Sequence, residues 1–142
     1  MKAILLLFLA LLLNPVVAHT DQSHQTKSVA IIATTYRLRG NMSCGTVTEQ
    51  GHKEARKNGY RGCIALSRPL ARDMGLKTGK GTYDYAFGTI VMISGSEGYD
   101  GEYVFMDLMP PKWRHYRVDI WVPTLQECNI FGVRRCWLLV KR

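Results

Sequence analysis

The run from Thr89 to Trp121, TIVMISGSEGYDGEYVFMDLMPPKWRHYRVDIW, decides the fold. Its apolar pieces are short and rich in β-branched and aromatic residues: Thr89–Ile93 (TIVMI), Glu102–Asp107 (EYVFMD) and Arg117–Trp121 (RVDIW). Between them lie a Gly/Ser/Asp turn, Ser94–Gly101 (SGSEGYDG), and a loop, Leu108–Tyr116, that holds Pro110-Pro111, Trp113 and His115. Apolar runs of that length bounded by turn residues read as strands, with a hairpin at the first turn. In RVDIW the alternation puts Val118 and Ile120 toward a core and Arg117, Asp119 and Trp121 on the other face. By the same period, Tyr103, Phe105 and Asp107 share a face of their strand.

The flanks read the same way. Upstream, Val29–Tyr36 (VAIIATTY) and Gly62–Leu66 (GCIAL) are strands. Ser67-Arg68-Pro69 opens a short helix that runs to Met74 and stops at Gly75. Downstream, Thr124-Leu125-Gln126-Glu127 is a capping box, so a second short helix runs to about Ile130 and Gly132 ends it. Val133–Val140 (VRRCWLLV) is a sixth strand. Six short strands, two short helices and many glycine turns predict a mainly β protein built as a small barrel. The segment Arg37–Arg61 is a long basic excursion, with room for a short helix around Lys53–Asn58.

The start of the chain predicts a destination. Met1-Lys2 is a short positive beginning, Ala3–Leu13 (AILLLFLALLL) is uninterrupted apolar sequence, and Val16-Val17-Ala18 suits cleavage after Ala18. This is the layout of a secretory signal peptide. The apolar run is too short to span about 30 Å of hydrocarbon, so no stable membrane insertion is expected after cleavage. The expected organisation is a signal peptide over 1–18, a polar tail over 19–28 that includes His19 and His24, and one domain over 29–142, secreted or periplasmic.

With 142 residues and a hydrophobic fraction of 46%, one globular domain is expected, and disorder, collagen and coiled coil are excluded. In an oxidising compartment the four cysteines can pair, and proximity favours Cys44–Cys63 and Cys128–Cys136. Each bridge would stabilise by roughly 3 kcal/mol. The absence of any CxxC pair argues against zinc, and no metal or other cofactor is expected. The net charge of +8 favours polyanionic surroundings. Secretion makes nucleic acid a poor candidate and an anionic envelope glycan a better one. A monomer is expected.

Several pieces, in order, resemble the three-aspartate (3D) domain of bacterial cell-wall enzymes. Gly62-Cys63-Ile64-Ala65-Leu66-Ser67 is similar to the family's first strand signature, which ends in an aspartate. Phe87-Gly88-Thr89-Ile90-Val91-Met92-Ile93 is similar to its "G-t-x-v-x-i" strand. Val104–Met109 resembles the strand that carries the second family aspartate, here Asp107. Arg117-Val118-Asp119-Ile120-Trp121 resembles the third, here Asp119. Phe131–Cys136 resembles the closing "f-G-v-R" strand. The match runs from about Ala30 to Val140. It departs at Ser67, which takes the place of the first aspartate, and at Leu108-Met109-Pro110, where the best-known members have Thr-Gly-Gly.

The resemblance implies a double-psi β-barrel. It also implies lytic transglycosylase activity on peptidoglycan, which cuts the glycan without water and leaves a 1,6-anhydro sugar. Such chemistry needs a carboxylic acid that holds its proton near neutral pH, although an ordinary aspartate titrates near 3.9. Asp107 is the candidate general acid/base and Asp119 its partner. Trp113, Tyr116 and Trp121 are candidate sugar-binding aromatics, and Ser67 either hydrogen-bonds in the site or caps the helix after it. Acids at strand ends also bond backbone N–H groups, so a structural role stays open for both aspartates. The rival function is a non-catalytic carbohydrate- or peptidoglycan-binding barrel of the barwin or expansin type.

Overall fold

A computed structural model describes residues 27–37 and 49–141. The expected signal peptide, most of the N-terminal tail and Cys44 lie outside the described residues. Six strands form: β1 (Ser28–Tyr36), β2 (Cys63–Leu66), β3 (Ile90–Ser94), β4 (Gly101–Leu108), β5 (Arg117–Trp121) and β6 (Arg134–Val140). Among the described residues three short helices accompany them, α1 (Glu49–Lys57), α2 (Arg68–Asp73) and α3 (Leu125–Phe131). Of these, α1 is the short helix for which the basic excursion had room around Lys53–Asn58, and it starts earlier, at Glu49. At the start of α3, Thr124 Oγ1 accepts from Glu127 N at 3.2 Å. Gly132 ends the helix at φ 61°, a left-handed conformation that glycine adopts without a Cβ penalty.

The strands close into a barrel in the order β1-β5-β2-β4-β3-β6. Two pairs are parallel, β1·β5 and β2·β4; the other four are antiparallel. This pairing map has an internal two-fold. Advancing every strand by three turns β1·β5 into β4·β2 and β1·β6 into β4·β3, and leaves β2·β5 and β3·β6 unchanged. No sequence repeat accompanies it.

Closure leaves no sheet edge and gives the barrel one apolar interior. Ile31, Ala33, Ile64, Leu66, Val91, Ile93, Tyr103, Phe105, Val118, Ile120 and Leu138 fill it, with Leu70 of α2 and Phe131 of α3 packed against them. Val118 and Ile120 point inward as their alternation requires. A buried side chain of this size contributes about 1.5–3 kcal/mol.

Cys63, Cys128 and Cys136 are free thiols, so neither expected disulfide is formed. Cys63 packs under α1 against Ala55, and its Sγ lies 3.9 Å from Gly51 O. Cys136 belongs to the barrel core. Burial pushes both thiols up to about 11, so they behave as small apolar side chains.

Candidate active site

Asp107 reaches its position through an irregularity in β4. Opposite it, Ile64 registers with Phe105, but Ala65 registers with Asp107, so Met106 is the extra residue of a β-bulge. A bulge breaks the two-residue alternation and re-aims the side chains beyond it. Phe105 is therefore sealed in the core while Asp107 turns with Ala65 toward a cavity. The shared face expected for Phe105 and Asp107 does not form, because the alternation behind it is interrupted.

Asp119 arrives from the other side of the same residue. On β5 it registers with Ala65 and, across the next pair, with Thr34 of β1. Asp107, Ala65, Asp119 and Thr34 form one row across β4, β2, β5 and β1. The strands that carry the two acids do not pair directly, since β2 lies between them. Their backbones stand two strand spacings apart, about 10 Å. Ala65 is small enough to leave the space between the carboxyls open.

The cavity above this row has a volume of about 250 Å³. Tyr36, Arg37, Leu108, Met109, Pro110, Lys112 and Trp113 complete its lining. The Arg117 guanidinium lies 4.1 Å from the centre of the Trp113 ring and holds that wall in place. Both acids hold their protons more tightly than an ordinary aspartate. For Asp107, burial is the main cause; a hydrogen bond from Leu108 N at 2.7 Å opposes it, and the Asp119 charge adds to it. For Asp119, burial again leads, opposed by the Thr34 hydroxyl and by Arg117. An acid near a second acid, under a partly apolar roof, is the arrangement that keeps a carboxyl protonated.

The remaining expected site residues are placed differently. Trp121 does not line this cavity. It is 2% exposed and stacked on His52 of α1, with ring centroids 4.5 Å apart, and the Arg56 guanidinium lies 5.0 Å from its ring centre. Tyr116 lies beside His115 in a separate groove along β1 and β6, and its hydroxyl donates to Asp73 at 2.6 Å. Ser67 is fully buried and makes no side-chain cap. Its hydroxyl donates to His115 O at 2.7 Å and accepts from Arg117 N at 3.1 Å, tying the end of β2 to the start of β5. Cys63, Cys128 and Cys136 lie away from the acids' cavity, and Cys44 is outside the described residues.

One residue of the cavity wall that the sequence did not single out is Tyr36, the last residue of β1. Its hydroxyl lies 3.3 Å from His52 Nε2. His52 and Arg56 are four apart on α1, and both reach Trp121. That i,i+4 pair was the available signal, and it lay partly ahead of the Lys53–Asn58 stretch where the helix was expected. The chain matches no protein-family model and no curated protein sequence.

Proposed function

We propose that this protein is a secreted or periplasmic double-psi β-barrel that cleaves the glycan strands of peptidoglycan, with Asp107 as general acid/base. The observation that carries the reading is the row Asp107–Ala65–Asp119 on the floor of an open cavity, with burial raising both carboxyls. The two parallel pairs β1·β5 and β2·β4, joined by the antiparallel pair β2·β5 and related by the two-fold of the pairing map, support the double-psi topology.

In the proposed reaction the protonated Asp107 gives its proton to the glycosidic oxygen as the C1–O bond breaks. The C6 hydroxyl of the same sugar then attacks C1, and its proton returns to the Asp107 carboxylate. The acid is regenerated and no water is consumed. Burial keeps the Asp107 proton in place, with Asp119 as its partner across Ala65, and Trp113 offers an aromatic face to the sugar ring. Arg37 and Lys112 suit a substrate that carries acidic groups.

The binding-barrel reading has one observation in its favour. Ser67, at the position of the family's first aspartate, is committed to backbone groups, and the cavity holds two acids. Release of dye from labelled peptidoglycan separates the two readings. The enzyme releases dye, and Asp107→Asn loses at least about a hundredfold of the rate, the ordinary contribution of a general acid. A wild-type chain that pellets with the wall and releases nothing is a binder.

A further inference from the structure

The outer face of β1 leads away from the two acids. Its side chains alternate, and with Ile31 and Ala33 in the core, Ala30, Ile32 and Thr34 face outward. Thr34 ends the row that holds Asp119, and its hydroxyl donates to the Asp119 carboxyl. Two residues back, Ile32 registers with Arg117 on one side and with Arg135 on the other. Two further back, Ala30 registers with Trp137 of β6. Four residues of strand cover about 13 Å, a span longer than one sugar ring. Trp113, in the wall of the acid cavity, lies against Arg117 part-way along this track.

The track ends in the groove along β1 and β6, which has a volume of about 390 Å³. Trp137 lines this groove and is 52% exposed. Arg117 covers the Trp113 ring and His52 covers the Trp121 ring, whereas among the described residues no ring or guanidinium stacks on Trp137. Its cross-strand neighbour, Ala30, is too small to cover it. Arg135 and His115 are exposed in the same lining, which holds no carboxylate among the described residues. An uncovered indole accepts the apolar C–H face of a sugar, and a positive charge beside it suits a polymer that carries acidic groups. We infer that this groove is a second glycan-binding subsite, in which Trp137 stacks on a sugar further along the same strand from the one held at Asp107 and Asp119. The subsite binds and does not cut. It gives the protein a hold on a long chain that a short fragment cannot use.

The inference rests on a glycan as the proposed substrate of the acid cavity, and its test needs binding alone. The full chain carrying Asp107→Asn, which leaves glycan intact, is titrated by calorimetry with a peptide-free peptidoglycan disaccharide and octasaccharide. Adding Trp137→Ala weakens the octasaccharide about fivefold, the scale of one aromatic stacking contact, and leaves the disaccharide unchanged. Trp137→Tyr recovers most of the loss. With Trp137 in place, its indole N–H resonance shifts on addition of the octasaccharide and not of the disaccharide. That readout decides the matter even if Trp137→Ala fails to fold. An unmoved indole resonance, or an octasaccharide affinity that ignores Trp137, overturns the inference, as does an equal loss for both lengths. Self-association that is lost in Trp137→Ala while glycan affinity is unchanged assigns the indole to a second copy and also overturns it. If the octasaccharide binds through Trp137 while the unsubstituted chain leaves labelled peptidoglycan intact, the cleavage reading fails and the subsite stands. Dye release without any dependence of binding on Trp137 is the reverse result.

Discussion

The candidate acid is expensive to the fold, and that cost is a way to detect it. Asp107 and Asp119 have carboxyls raised chiefly by burial. A raised folded-state value means that the stability these groups contribute is full below the ordinary aspartate range. It is lost as pH rises through the raised values. Asp107→Asn should therefore raise the melting temperature at pH 7 and lose that gain at pH 3. A fall at pH 7 would mean that the carboxylate is a stabilising structural group, bonded to Leu108 N and needed there. Asp73 and Asp100 are shifted the other way, by Arg72 and by Ser96 respectively, and their exposed positions make them small contributors. The two acids were legible as candidates from the strands they end. Tyr36 was legible only as a strand residue, because its place in the cavity depends on strands that meet it from other parts of the chain.

Between elements, the strands were readable and their neighbours were not. Every strand falls within a residue or so of the boundaries that hydrophobic runs and glycines indicate, since those runs are a local property. Pairing is not local. Nothing in EYVFMD or RVDIW says that GCIAL inserts between them, yet that insertion brings both acids beside Ala65. The bulge at Met106 is equally silent, because its cause is the register with β2. The two-fold of the pairing map makes a prediction at this scale. Ser28 registers with Leu139, so the ends of β1 and β6 are neighbours. A permuted chain that opens between Glu97 and Gly98 and joins those ends by a short Gly/Ser linker runs β4-β5-β6-β1-β2-β3, which has the same map. It should fold to the same barrel, with the carboxyl titrations of the parent. An unfolded permutant would show that the β3–β4 hairpin, with its Asp100 bonds to Gly95 N and Ser96 N, is required for closure.

The whole molecule combines a net positive charge with a cavity that holds two aspartates. On the proposed function, the charge of +8 favours an anionic polymer at long range, while the chemistry is confined to the row Asp107–Ala65–Asp119. Basicity was plain in the composition; the cavity was not, because its floor comes from four strands and its wall from the Pro110–Trp113 loop. Within that cavity, on the proposed function, a protonated Asp107 breaks a glycosidic bond and the sugar's own hydroxyl closes the ring. The most direct test is mass spectrometry of muropeptides from purified peptidoglycan treated with the chain His19–Arg142 beside its Asp107→Asn variant. The expected products are 1,6-anhydro ends from the first and none from the second. Reducing ends that carry the mass of an added water would contradict the intramolecular step, and intact glycan with both proteins would contradict the enzyme itself.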